Sequence, residues 1–95
     1  MVLEIADIRV QPGTAEEFVT AFHGIKHVFD SVEGFRSARL THGIESPERF
    51  VLLIEWDSVE AHVTSFRGSP LYQQWGAAVG PFFAQPPFVE HFQDV

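Results

Sequence analysis

The run Phe50-Val51-Leu52-Leu53-Ile54 constrains this chain more than any other feature. It has the length of a strand and is apolar at every consecutive position. Successive side chains of a strand point to opposite faces, so both faces of this one need cover. The chain has 95 residues, which is room for one domain spanning 1–95 and no second one. One layer of helices covers one face of a sheet. The simplest cover for the other is a second copy of the same sheet, which makes a homodimer the expected state.

The neighbouring segments supply the rest of the architecture. Val2 to Gln11 reads as a strand stopped by Pro12-Gly13. Thr14-Ala15-Glu16-Glu17 has the form of a capping box, and Phe18, Phe22, Ile25, Phe29 and Val32 follow at helical spacing. Gly34 is placed to end that helix in a left-handed conformation. Phe35 to Thr41 alternates as a second strand, Gly43 to Glu48 is a loop, and Arg49 to Trp56 is the third strand. Asp57-Ser58-Val59-Glu60 reads as a second capping box, with Val59, Val63 and Phe66 as the buried stripe of a short helix. Arg67-Gly68 breaks it, and Ser69-Pro70 restarts it with Leu71, Trp75 and Ala78 inward. Phe88 to Phe92 is a last strand. The order is β-α-β-β-α-β, an α+β, ferredoxin-like pattern: an antiparallel sheet with its helices on one face, closing as a dimeric α+β barrel.

Composition removes several function classes. The net charge of -7 and six scattered Lys and Arg argue against nucleic acid. With no cysteine, disulfides, thiolate catalysis and cysteine-bound metals are excluded. No apolar stretch approaches the ~20 residues of a membrane span, and the first residues do not form a signal peptide. The cytoplasm is the expected location, and no membrane partner is expected. Ten Phe, two Trp and one Tyr are a heavy aromatic load for one small core. Part of that surface is expected to meet a ligand or another subunit.

Among titratable groups, His62 stands out at the edge of the Val59–Val63–Phe66 stripe, where an imidazole serves acid–base chemistry or sits half-buried in a structural hydrogen bond. Trp56, Phe66, Tyr72 and Trp75 cluster around the same helical region as either core or the walls of a flat pocket. His91 shares a strand face with Val89, directed to the pocket or to the dimer seam. His23 and His27, four apart, lie opposite the first helix's apolar stripe with no carboxylate to complete a metal site, so they are expected in solvent and no metal is expected. Asp7 and Arg9, on one face of the first strand, are expected to pair with each other or with Arg39 across the dimer.

The segments Glu4-Ile5-Ala6-Asp7-Ile8-Arg9-Val10 before Pro12-Gly13, Phe50 through Trp56 to Asp57-Ser58-Val59-Glu60-Ala61-His62, Phe66-Arg67-Gly68-Ser69 and Tyr72-Gln73-Gln74-Trp75 together resemble the antibiotic biosynthesis monooxygenase family. That resemblance implies a dimeric α+β barrel and oxidation of a small aromatic molecule, a phenol, quinol or polyketide ring, by O₂ without flavin, metal or haem. It implies His62 as the base, Trp56 and Tyr72 holding the ring, and Phe66 and Trp75 excluding water. The chain departs from the polyketide oxygenases in containing no Asn. The residues used by haem-degrading relatives fall on Ala6, Phe66 and Gly76, so haem degradation is not expected. Two other readings of the same barrel stay open: a non-catalytic ligand-binding or stress-response protein, and a cofactor-free isomerase or decarboxylase.

Overall fold

A computed structural model of the chain describes all residues from Met1 to Val95. Strand β1 (Val2–Arg9) leads to helix α1 (Ala15–Ile25), which tightens into a 3₁₀ segment over Lys26–Ser31. Strands β2 (Phe35–His42) and β3 (Arg49–Trp56) form a hairpin. A π-helical segment (Ala61–Phe66), helix α2 (Pro70–Val79) and strand β4 (Phe88–Phe92) complete the chain. The sheet order is β2-β3-β1-β4 with every neighbour antiparallel, which is the ferredoxin-like arrangement expected from the order of elements.

Alternation along the two central strands decides which face is core. Ala6, Ile8, Phe50, Leu52, Ile54 and Trp56 all point to the helices and are buried. They meet Phe18, Phe22, Phe29, Trp75 and Val79 from the helical layer in one continuous cluster. Phe18 packs edge-on against Phe50 with ring centroids 4.8 Å apart. Burial of one such side chain stabilises the fold by about 1.5–3 kcal/mol, so this cluster dominates the energetics. The opposite sheet face carries Leu3, Ile5, Val51 and Leu53, each only partly covered.

Several local expectations give way to other physics. Phe35 belongs by strict alternation with Ser37, yet it is partly buried against the core and stacks on Phe29 at 5.5 Å. A bulge between Phe35 and Ser37 shifts the phase of the strand and turns the ring inward. The Thr14 hydroxyl does not cap α1; it donates to the Gln11 carbonyl at 2.6 Å and closes the Pro12-Gly13 turn. Asp57 does not cap the second helical region either, because its carboxylate accepts from Arg36 at 2.6 Å, and Ser58 Oγ takes the Ala61 N–H instead. Asp7 pairs with Arg49 through two hydrogen bonds, of 2.8 and 3.1 Å, rather than with Arg9. The register sets Arg9 opposite Arg49, which brings the Arg49 side chain diagonally onto Asp7.

The most consequential difference lies at Ala61–Phe66. The Arg67 N–H donates to the His62 carbonyl at 3.0 Å, five residues back, so the turn is wider than an α-helix. Residues four and five apart then share a face. Ala61, His62 and Phe66 are buried, while Val59 and Val63, expected in the stripe, are 39% and 43% exposed. His62 therefore moves from the edge of the buried face to its middle. Gly34 holds this segment against the sheet. Its φ is +89°, and a Cβ there would stand 2.6 Å from the Ala61 Cβ, so glycine is required both by backbone and by space.

Candidate functional site

A cavity of about 300 Å³ lies between the sheet and the second helical region. Its floor comes from the inward residues of the strands: Glu4, Ala6 and Ile8 of β1, Leu52 and Ile54 of β3, and Val89 of β4. Its roof comes from His62 and Phe66 of the π segment and from Tyr72, Trp75 and Gly76 of α2; Arg67, Phe83, Pro86 and Pro87 finish the wall. His62 and Phe66, four residues apart on the π segment, set an imidazole and a phenyl ring side by side on this roof.

Two titratable side chains are buried here. Glu4 is 5% and His62 3% exposed. Both are partnered: Trp56 Nε1–H donates to Glu4 Oε1 at 2.9 Å, and His62 Nε2 approaches the same oxygen at 3.4 Å. On its other side His62 Nδ1 lies 2.8 Å from His91 Nε2, so one proton is shared across that bond. Trp56 also stacks on the His62 ring, with centroids 5.4 Å apart and planes 18° from parallel. Glu4, His62 and His91 thus form a chain of proton-carrying groups from the cavity wall toward the half-buried edge strand β4.

Burial shifts both buried groups away from charge. Desolvation raises the Glu4 carboxyl above its ordinary value of 4.5, opposed by the Trp56 hydrogen bond and by the positive field of Arg67. Desolvation, with Arg67 and His91 adding to it, lowers His62 from 6.5 to about 4. Burial thus works against charge on both groups, and it leaves His62 neutral at neutral pH.

This has a measurable consequence for stability. A histidine that binds its proton more weakly when folded favours unfolding once protonated. The His62 contribution is complete above about pH 6.5 and is lost as pH falls through 4, about 3 kcal/mol in all. Glu4, shifted upward, acts in the opposite sense: its contribution is complete below 4.5 and declines as pH rises through its folded value. Chemical denaturation at a series of pH values is expected to show a steep acid loss for the parent and a flatter limb between pH 6.5 and 4 for His62→Gln. Identical limbs in the two proteins would contradict the burial of a neutral imidazole.

Of the side chains expected at a site, His62, Phe66, Tyr72 and Trp75 converge on the cavity. Trp56 and His91 do not line it. Trp56 is fully buried behind Glu4, where its ring is core and its N–H orients the carboxyl, and His91 stands behind His62. Both were expected on the cavity wall, and both stand behind it. His23 and His27 are exposed, as expected. Glu4 was not among the expected site residues, although its strand signalled it: on β1 it alternates with Ala6 and Ile8, which places a carboxyl on the buried face.

The comparisons with known proteins agree with this architecture. The sequence profile of the antibiotic biosynthesis monooxygenase family matches residues 1–78. The Bacillus subtilis protein YczJ, itself uncharacterised, is 37% identical over 95 residues, the full length of both chains. A Bordetella bronchiseptica crystal structure bearing the family's name superposes with a TM-score of 0.96 at 37% identity, covering 99% of this chain and 96% of that one. A mutant of SnoaB, a cofactor-independent oxygenase from Streptomyces nogalater, superposes with a TM-score of 0.82 at 17% identity over 98% of this chain and 91% of its own, a likeness of fold alone. With the profile spanning most of the length and full-length relatives above a third identical, the chain belongs to the antibiotic biosynthesis monooxygenase family.

Proposed function

We propose that this protein is a cofactor-independent monooxygenase that oxidises a small phenol or quinol with O₂ in the cavity between sheet and helices. The observation that carries the reading is the buried Glu4–His62 pair on the wall of an otherwise largely apolar, aromatic-roofed cavity. Membership of the family supports it, and so does the fold shared with an oxygenase described as cofactor-independent.

The chemistry asks little of the protein beyond proton handling and a dry site. In the simplest case a phenol and O₂ give a quinone and water. One oxygen atom enters the ring and the other leaves in the water, and the substrate supplies both hydrogens and both electrons. The first step is loss of the phenolic proton, which makes the ring electron-rich enough to give an electron to O₂. A carboxylate whose proton affinity is raised by burial is suited to take that proton. Neutral His62, bonded to His91, holds the carboxyl and offers the proton a way out. Phe66 and Trp75 close the cavity to water, and Tyr72, packed edge-on against Phe66 at 5.3 Å, flanks the ring.

A homodimer belongs to the same proposal. The sheet face away from the helices is apolar at Leu3, Ile5, Val51 and Leu53, and Phe88 and Phe92 beside it are 65% and 46% exposed. A second copy over this face covers it and leaves each cavity lined by one chain.

Oxygen uptake across a panel of phenols and quinols, without added flavin and with a chelator present, tests the function. We expect one O₂ consumed per substrate and a fall of about a hundred-fold in His62→Gln. Tight binding with no oxygen uptake would make the protein a binder. Turnover that persists without oxygen would make it an isomerase or decarboxylase.

A further inference from the structure

Gly76 sits in the interior of α2, where a glycine costs about 0.8–1 kcal/mol relative to alanine. Neither of the usual reasons for tolerating it applies. Its backbone is ordinary helix, and a Cβ built there meets no heavy atom within 4 Å. Gly76 is also exposed and borders the cavity, so the missing side chain keeps open space at the cavity's rim.

Arg67 borders the same cavity and is likewise exposed. It is the only Lys or Arg on the cavity wall, and no carboxylate lies within ion-pair distance of it, whereas Arg36 and Arg49 are both paired. Its positive field reaches both Glu4 and His62. On a chain of net charge -7, a free guanidinium at the mouth of an apolar cavity marks where a negative group is welcome.

We propose that the cavity selects a hydroxylated aromatic carboxylate, which enters past Gly76, seats its ring against Phe66 and Trp75, and sets its carboxylate on Arg67. This rests on the cavity being the substrate site and names the class of substrate. The reacting hydroxyl then faces Glu4 while the acid stays at the rim, and the two ends of the molecule are read by groups of opposite character.

Binding, rather than turnover, tests this. Trp75 lines the cavity, so quenching of tryptophan fluorescence reports occupancy. The probes are para-hydroxybenzoate and its methyl ester, the same ring with and without the charge. The parent is expected to bind the acid about ten-fold more tightly than the ester, with the advantage shrinking as salt rises. In Arg67→Gln the two are expected to bind alike, at the ester's affinity. Gly76→Leu is expected to weaken both ligands together, because its side chain fills the open rim. Equal binding of acid and ester by the parent, or a preference that survives in Arg67→Gln, overturns the assignment and leaves the oxygenase reading standing. If neither ring binds, the substrate class proposed here is wrong, and oxygen uptake across the phenol and quinol panel decides the oxygenase reading separately.

Discussion

Glu4→Gln is expected to lower kcat/KM for the preferred phenol by about a hundred-fold or more, with the melting temperature unchanged or raised. The substitution keeps size and shape, and the amide oxygen still accepts the Trp56 N–H that the carboxyl accepts at 2.9 Å. Only the capacity to take a proton is lost. A positioned base contributes about 10² to 10⁴ in rate, which sets the scale. Stability moves the other way because burial penalises the charged form of a carboxyl that is 5% exposed, and a neutral amide carries no such penalty. Oxygen uptake and thermal denaturation on the same preparation separate the two effects. A structural role for Glu4 lowers both activity and melting temperature; a base lowers the first alone. Activity within a few-fold of the parent would remove Glu4 from the chemistry.

How far the sequence exposes this site depends on which physics is local. The sheet order and the face of each central strand follow from period-two alternation, and Phe50 to Ile54 alone demands cover on both sides. The convergence of Phe66, Tyr72 and Trp75 follows from their places on the second helical region. What escapes is decided by geometry between elements. The wider turn that centres His62 on the cavity roof has no signature in the spacing of Val59, Val63 and Phe66, which fits an ordinary helix equally well. The roles of Trp56 and His91 depend on register: β1 against β3 sets Glu4 opposite Ile54, and β1 against β4 sets Glu4 opposite His91. A carboxyl, an indole and two imidazoles from β1, β3, β4 and the π segment meet only once that register is known. The Thr14 hydroxyl misled for a simpler reason, since it can cap a following helix or donate back to a preceding carbonyl, and here it donates back.

Trp56 joins the fold to the chemistry, and its replacement is expected to have the largest effect on stability of any change near the site. It has no exposed surface and packs against Phe29, Phe35, His62 and Phe66, with ring centroids 5.4–6.4 Å away. Trp56→Ala removes this packing, at a cost of about 3–5 kcal/mol, and leaves the buried Glu4 without its donor, at roughly 1–3 kcal/mol more. A domain of this size has about 5–15 kcal/mol in total, so the variant is expected to melt on the order of 15 °C or more lower, or not to fold. Trp56→Phe separates the two losses, because it keeps most of the ring contacts and removes only the N–H. Its stability is expected to fall by about 1–3 kcal/mol, and its pH–rate profile carries the sharper information. The Trp56 hydrogen bond holds the Glu4 proton affinity down. Without it the carboxyl binds its proton more tightly, the acid limb of kcat/KM moves to higher pH, and the plateau rate changes little. An acid limb that stays in place when the donor is removed means that the carboxyl titrating in the rate profile is not Glu4, and the proton acceptor has to be sought elsewhere on the cavity wall.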